Sequence, residues 1–243
     1  MNASVFTLTL RQFAGQRRSL LMFGLALIPV ALAIIFRLGE HLDQQEETAN
    51  FLADVVVTAI LPLACLILGT SALGSEIEDG TAVYILAKPV PRRDIIAAKF
   101  AASVLIAAAF VVPATAASGL IGLQGVSEEG IVTGFAIATL VGVFAYTAVF
   151  ILLSVATSRA LLFGLAYVFI WEGLITELFS GTRYLSIRQY TLGIADFFAT
   201  VSKQDFEATV GGPEAFVLAT FAAAAALVLA VRRLEAFELT DTD

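Results

Sequence analysis

Apolar and polar stretches alternate along this chain with membrane-like spacing. Residues 20–36, 51–73, 100–123, 131–155, 161–179 and 214–231 are six apolar runs. Each meets or approaches the ~20 residues that a helix needs to cross ~30 Å of hydrocarbon. Pro29, Pro62 and Pro113 fall inside the first three runs, which spans tolerate when neighbours satisfy the freed carbonyls. The polar links are residues 37–50, 74–99, 124–130, 156–160 and 180–213. Residues 1–19 interleave Val5, Phe6, Leu8, Leu10 and Phe13 with Arg11, Gln12, Gln16, Arg17 and Arg18. That pattern predicts an amphipathic helix lying in the headgroup layer, with Ser4 as a possible N-cap. Residues 180–213 hold Tyr184, Ile187, Tyr190, Leu192, Ile194, Phe197 and Phe198 among charges. The stretch is too apolar for a free linker and too broken to cross a bilayer, so it predicts short helices in or dipping into the outer leaflet. The predicted fold is one transmembrane domain over residues 1–243: all-α, integral to the membrane, with six transmembrane helices.

Composition agrees with this. The 243 residues are 59% apolar and 14% charged, against about 25% charged in a soluble domain, and the mean hydropathy is +0.90. The net charge of −7 offers no basic surface for nucleic acid. One cysteine, Cys65, and one histidine, His41, allow neither a disulfide framework nor a metal-ligand pair. The first apolar run leads into further spans without a small-residue cleavage pattern, which argues against a cleavable signal. Lysine and arginine set the orientation. Ten of them (Arg11, Arg17, Arg18, Lys88, Arg92, Arg93, Lys99, Arg159, Arg232 and Arg233) fall on one side, and four (Arg37, Arg183, Arg188 and Lys203) on the other. The expectation is a multi-pass protein of the inner (plasma) membrane with both termini, and the link at 74–99, in the cytoplasm.

That link is the most patterned polar stretch. It carries four acidic and four basic side chains and cannot sit in hydrocarbon. Gly80 and Thr81 can open a short helix with Asp79 at its positive end. Val83, Leu86 and Ala87 then share a face suited to a partner. Pro89 and Pro91 stop the helix, and a new one can begin at Arg92 and run through Lys99 into the next span. Glu76 and Glu78 can pair with Arg92, Arg93 or a partner's basic groups. As solvated charges they would contribute only ~0–1 kcal/mol.

The series Glu76-x-Glu78-x-Gly80-Thr81, Ile85-Leu86-x-Lys88-Pro89-Val90-x-Arg92 and Ile96-x-x-Lys99 resembles the loop between the second and third spans of ABC-2 type ABC transporter permeases. The likeness extends to the span order over nearly the whole chain. It implies a cytoplasmic coupling helix that docks on a separate ATP-hydrolysing subunit through Glu76, Glu78, Gly80, Thr81, Val83, Leu86, Pro89 and Arg92. It also implies an interfacial elbow helix at the N-terminus and re-entrant helices between spans five and six. Two ATP-binding subunits would then pair with two membrane subunits, either two copies of this chain or this chain and a relative, all within membrane lipid.

The chemistry that is absent fits a subunit of that kind. No Gly-x-x-x-x-Gly-Lys-Ser/Thr phosphate loop occurs, so ATP and Mg belong to the partner and this chain needs no cofactor of its own. No Gly-x-Ser-x-Gly elbow accompanies the lone histidine. Glu172 is the one charge well inside an apolar run, eleven residues beyond Leu161, or ~16 Å at 1.5 Å per residue. It either lines a transport path or subunit interface, or marks an early end of the span, with Trp171 at the interface and Glu172 already in water. The functional expectation is an ATP-driven exporter of a small or amphipathic substrate. Its rivals are a secondary transporter or channel using Glu172, and a membrane anchor or assembly subunit for an ATPase.

Overall fold

A computed structural model describes residues 6–9, 16–39, 43–78, 90–123, 125, 130–199 and 208–236. These residues are almost wholly helical, with no strand among them. Hydrocarbon leaves a spanning backbone no other way to satisfy its own polar groups short of a closed barrel. Helix α1 is Gln16–Phe36. Helix α2 is continuous but changes character: Gln44–Phe51 and Leu61–Glu78 are α-helical and flank a π-helical Leu52–Ile60. Helices α3 and α4 are Arg92–Leu123 and Ile131–Ala156. Helix α5 repeats the pattern of α2, with Ala160–Ala166, a π-helical Tyr167–Ile175 and Thr176–Leu178. A 3-10 turn, Ser180–Leu185, leads to α6, Ile187–Phe198, and then to α7, Gly212–Glu235.

Four of these are long and apolar enough to cross a membrane: Gln44–Gly74, Arg92–Leu123, Ile131–Ala156 and Gly212–Glu235. Leu20–Phe36 and Ala160–Ile175 are shorter apolar helices. The chain is therefore an all-helical, multi-pass membrane protein. The other two expected spans correspond to the shorter pair. The polar link at 37–50 is only half a link, because α2 begins at Gln44. Asp43 caps it by accepting from Glu46 N at 3.3 Å, and Glu46 and Glu47 sit in the first turn, at the positive end of the helix. The four residues 6–9 are helical. The rest of the predicted interfacial segment up to residue 15 lies outside the described residues, and α1 already begins at Gln16.

Helix α4 is the hub, packed against α2, α3, α6 and α7. Its own glycines allow the close approach. A Cβ at Gly142 would lie 2.7 Å from Leu61 Cδ2 and 2.9 Å from Thr191 Oγ1, which places α2, α4 and α6 at one crossing. Thr115 of α3 and Thr139 of α4 meet at 3.5 Å within the core. Hydroxyls elsewhere bond back to their own helix, as Thr70 does to Leu66 O at 2.6 Å and Ser118 to Ala114 O at 2.7 Å. Outward faces carry side chains such as Phe221 of α7 and Phe163 of α5, which suits contact with lipid.

The two ends of the bundle differ. At one end Gln44 Nε2 of α2 donates to Gly122 O of α3 at 2.9 Å, and Phe36 stacks on Phe51 at 5.4 Å. At the other end α2 finishes and α3 begins, flanking residues 79–89. From α5 the chain does not leave the bundle. It turns back along the end of α5 and starts α6 beside Glu172. It then rises along α4 until Phe198 reaches Gly130, where a Cβ would lie 2.2 Å from Phe198 O. Most of α6 is buried, from Ile187 and Gln189 through Ala195. It is thus a helix dipped into the protein from the end opposite residues 79–89.

Candidate functional site: the loop stem and the buried Glu172 cluster

Two places carry the residues singled out by sequence. The first is the stem of the 74–99 link. Gly80, Thr81, Val83, Leu86 and Pro89 lie outside the described residues. Glu76 and Glu78 belong to the final turn of α2, although the placement of their side chains is also outside them. Arg92 is the first residue of α3 and half-buried, where Asp94 N and Ile95 N both donate to Pro91 O, at 2.9 and 3.3 Å. Pro91 thus lies at the helix start, where its missing N–H costs nothing. Two turns on, Lys99 is 1% exposed. Its ammonium donates to Ala72 O of α2, crossing from one leg of the stem to the other. Ile95, Ile96 and Ala98 are buried around it, so the contact is sheltered from water.

The second place is the middle of α5. Glu172 is 3% exposed. The structure buries it inside the protein. Its Oε1 accepts from Tyr167 OH at 2.7 Å and from Ile187 N at 3.0 Å. Its Oε2 accepts from Ser186 Oγ. Ser186 in turn caps α6, accepting from Gln189 N at 3.2 Å. The carboxylate therefore sits at the positive end of α6, where a free N–H and the helix dipole both favour an anion. This geometry makes Glu172 the clasp between α5 and the inserted α6.

The π-helical register is what brings Tyr167 to Glu172. In an α-helix, residues five apart lie about 140° apart around the axis, whereas in a π-helix they stack one turn apart. The α2 π-segment shows the same offset, with Thr58 Oγ1 donating to Ala53 O at 2.9 Å and Leu61 N to Val56 O. Further contacts fix the descending segment. Trp171 Nε1 reaches Leu185 O at 3.4 Å, Arg183 Nε reaches Thr176 O at 3.2 Å, and Tyr190 OH reaches Tyr184 O at 2.5 Å. Gln189 Oε1 accepts from Thr209 N at 3.1 Å, tying α6 to the entry of α7.

Sequence reasoning missed Lys99 as a buried cross-link, and Tyr167 and Ser186 as partners of Glu172. For Lys99 a signal existed, because it is flanked by Ile95, Ile96 and Ala98. For the others none did: Ser186 is fourteen residues from Glu172, and Tyr167 is at the wrong spacing for an α-helix.

Next to this cluster Tyr146 of α4 is wholly buried, and its hydroxyl has no hydrogen-bond partner among the described residues. An unmade bond contributes nothing, and removing the oxygen relieves a desolvation cost. Tyr146→Phe is therefore expected to leave the thermal midpoint unchanged or slightly raised. A fall of more than a few degrees would mean that the hydroxyl is engaged.

Among the described residues no group of three or more His, Cys, Asp or Glu could hold a metal ion. The described residues supply packing, polar clasps and a buried cationic cross-link at the stem. A search among curated proteins found no match to the chain. Residues 16–176 match the family described as ABC-2 family transporter protein, a stretch that runs from the start of α1 through the stem to the end of Glu172's π-segment. The chain belongs to the ABC-2 family of transporter proteins.

Proposed function

We propose that this chain is the permease subunit of an ATP-driven exporter, working in pairs and energised by a separate ATP-binding subunit. Family membership makes it a membrane transport component rather than an ATPase. The finer reading is supported by the motif around Glu76, Glu78, Gly80, Thr81, Leu86, Pro89 and Arg92, held on a cross-linked stem. In this reading all six apolar helices span the membrane. The stem end faces the cytoplasm, as the ten-to-four lysine and arginine bias requires. Closure of two ATP-binding subunits presses on the helix at residues 81–87, and the push passes through α2 and α3 into the packing around α4. The energy is the difference in nucleotide affinity between the open and closed states. The largely apolar interior favours a small or amphipathic substrate.

The test is uncoupling. Gly80→Pro and Leu86→Asp are expected to leave the chain inserted and the partner's ATP hydrolysis running, while substrate export falls by roughly tenfold or more. Export at the normal rate in both variants would remove the coupling role from this segment. A secondary transporter using Glu172 receives no support from the geometry, because all the contacts of that carboxylate described above are structural ones within the chain.

A further inference from the structure

An open groove of about 500 Å³ runs between α3 and α7 at the stem end of the bundle. Its walls include Ile96, Phe100 and Val228, and its mouth carries Arg93, Arg232 and Glu235. Arg93 stands in the first turn of the 32-residue α3, at the positive end of that helix, which Asp94 in the same turn partly offsets. Arg93 and Arg232 are both exposed where they border the groove. An amphiphile is the chemistry that this shape selects: an anionic group between two guanidiniums and the helix end, followed by an apolar chain lying against aliphatic and aromatic walls. Free phosphate would leave the apolar length unfilled, and an uncharged chain would leave the arginines unanswered.

We infer that the groove between α3 and α7 is a binding site for an anionic phospholipid of the leaflet at the stem end. The phosphate sits between Arg93 and Arg232, and one acyl chain lies along Ala97, Phe100 and Val228. Juxtamembrane arginines attract anionic headgroups, and guanidiniums bind phosphate oxygens in a bidentate manner. Here two of them, on neighbouring helices, border one largely apolar groove. Glu235 lowers the excess to one positive charge among these three side chains, which matches a singly charged headgroup.

The test uses the full chain, purified and titrated with phosphatidylglycerol or phosphatidylcholine and read by native mass spectrometry. The wild type is expected to retain phosphatidylglycerol in preference to phosphatidylcholine. Arg93→Gln with Arg232→Gln should weaken retention by at least about tenfold. Ala97→Trp, which keeps both arginines and fills the channel, should do the same, and glycerol 3-phosphate should not compete. If the double variant fails to fold, each single arginine variant is read instead, with about a threefold loss expected. Unchanged retention in the charge variants overturns the proposal. So does loss in the charge variants with full retention in Ala97→Trp, which would mean diffuse surface attraction. The measurement requires neither ATP nor a transported substrate, so its failure is separable from failure of the coupling reading.

Discussion

Glu172→Leu is expected to cost on the order of 3–5 kcal/mol, because it leaves buried donors facing a hydrocarbon side chain. Tyr167 OH, Ser186 Oγ and Ile187 N all point at the carboxylate. With no water to turn to, each loses its acceptor. The loss is also topological, since the same three bonds hold the first turn of α6 against α5. The readout is built in: Cys65 is the only cysteine and is fully buried, so a thiol-reactive dye reports unfolding of the core. The midpoint should fall by on the order of ten degrees. Glu172→Gln should fall about half as far, because an amide oxygen still accepts but its NH2 faces a further donor. Tyr146→Phe, on the neighbouring α4, is the matched control with almost no effect. A leucine variant that melts with the wild type would show that the clasp is dispensable and would return Glu172 to the list of candidates for the transport path.

Gly130→Val should be nearly as damaging, for a different reason. Gly130 precedes α4 with φ of 82°, a region that costs an L-residue roughly 1–2 kcal/mol and a β-branched one more. The added Cβ would also lie 2.2 Å from Phe198 O, a backbone atom that cannot swing aside. The end of α6 must then separate from the start of α4. Gly125 is the discriminating comparison. Its φ is 88°, but nothing lies within 4 Å of its Cβ position. Gly125→Val should therefore show the conformational cost alone, and Gly130→Val should exceed it by several degrees in the same thiol-reactivity melt. Equal shifts would mean that the α4–α6 contact adjusts without cost.

Much of the architecture was legible because lipid imposes a simple rule: long apolar runs must be helices, and the polar gaps must be turns. The runs ending at Phe36 and Leu123 and the turn before Ala160 match their helices closely. Residues 44–50 read as a link because Gln44, Gln45, Glu46 and Glu47 are polar, yet Asp43 caps them into α2. Local hydrogen bonding outweighed composition there. The position of Glu172 within the fifth apolar run was also legible, by counting from Leu161. Its partners were not, since they depend on a π-helical register that α-helical periodicity cannot express and on a segment that folds back into the bundle. The charge pattern of the stem and the apolar neighbours of Lys99 were visible, while its bond to Ala72 O followed only from how α2 and α3 pack.

The Lys99 ammonium at the carbonyl of Ala72 has a mechanical consequence. Two helices joined only by a tip could scissor apart when the tip is touched. Riveted about two turns from their ends at the tip, the pair would act as a single lever. A displacement delivered at residues 79–89 would be shared by both legs from the outset, and would reach the neighbouring helices as rotation of a rigid pair instead of dissipating as bending in one of them.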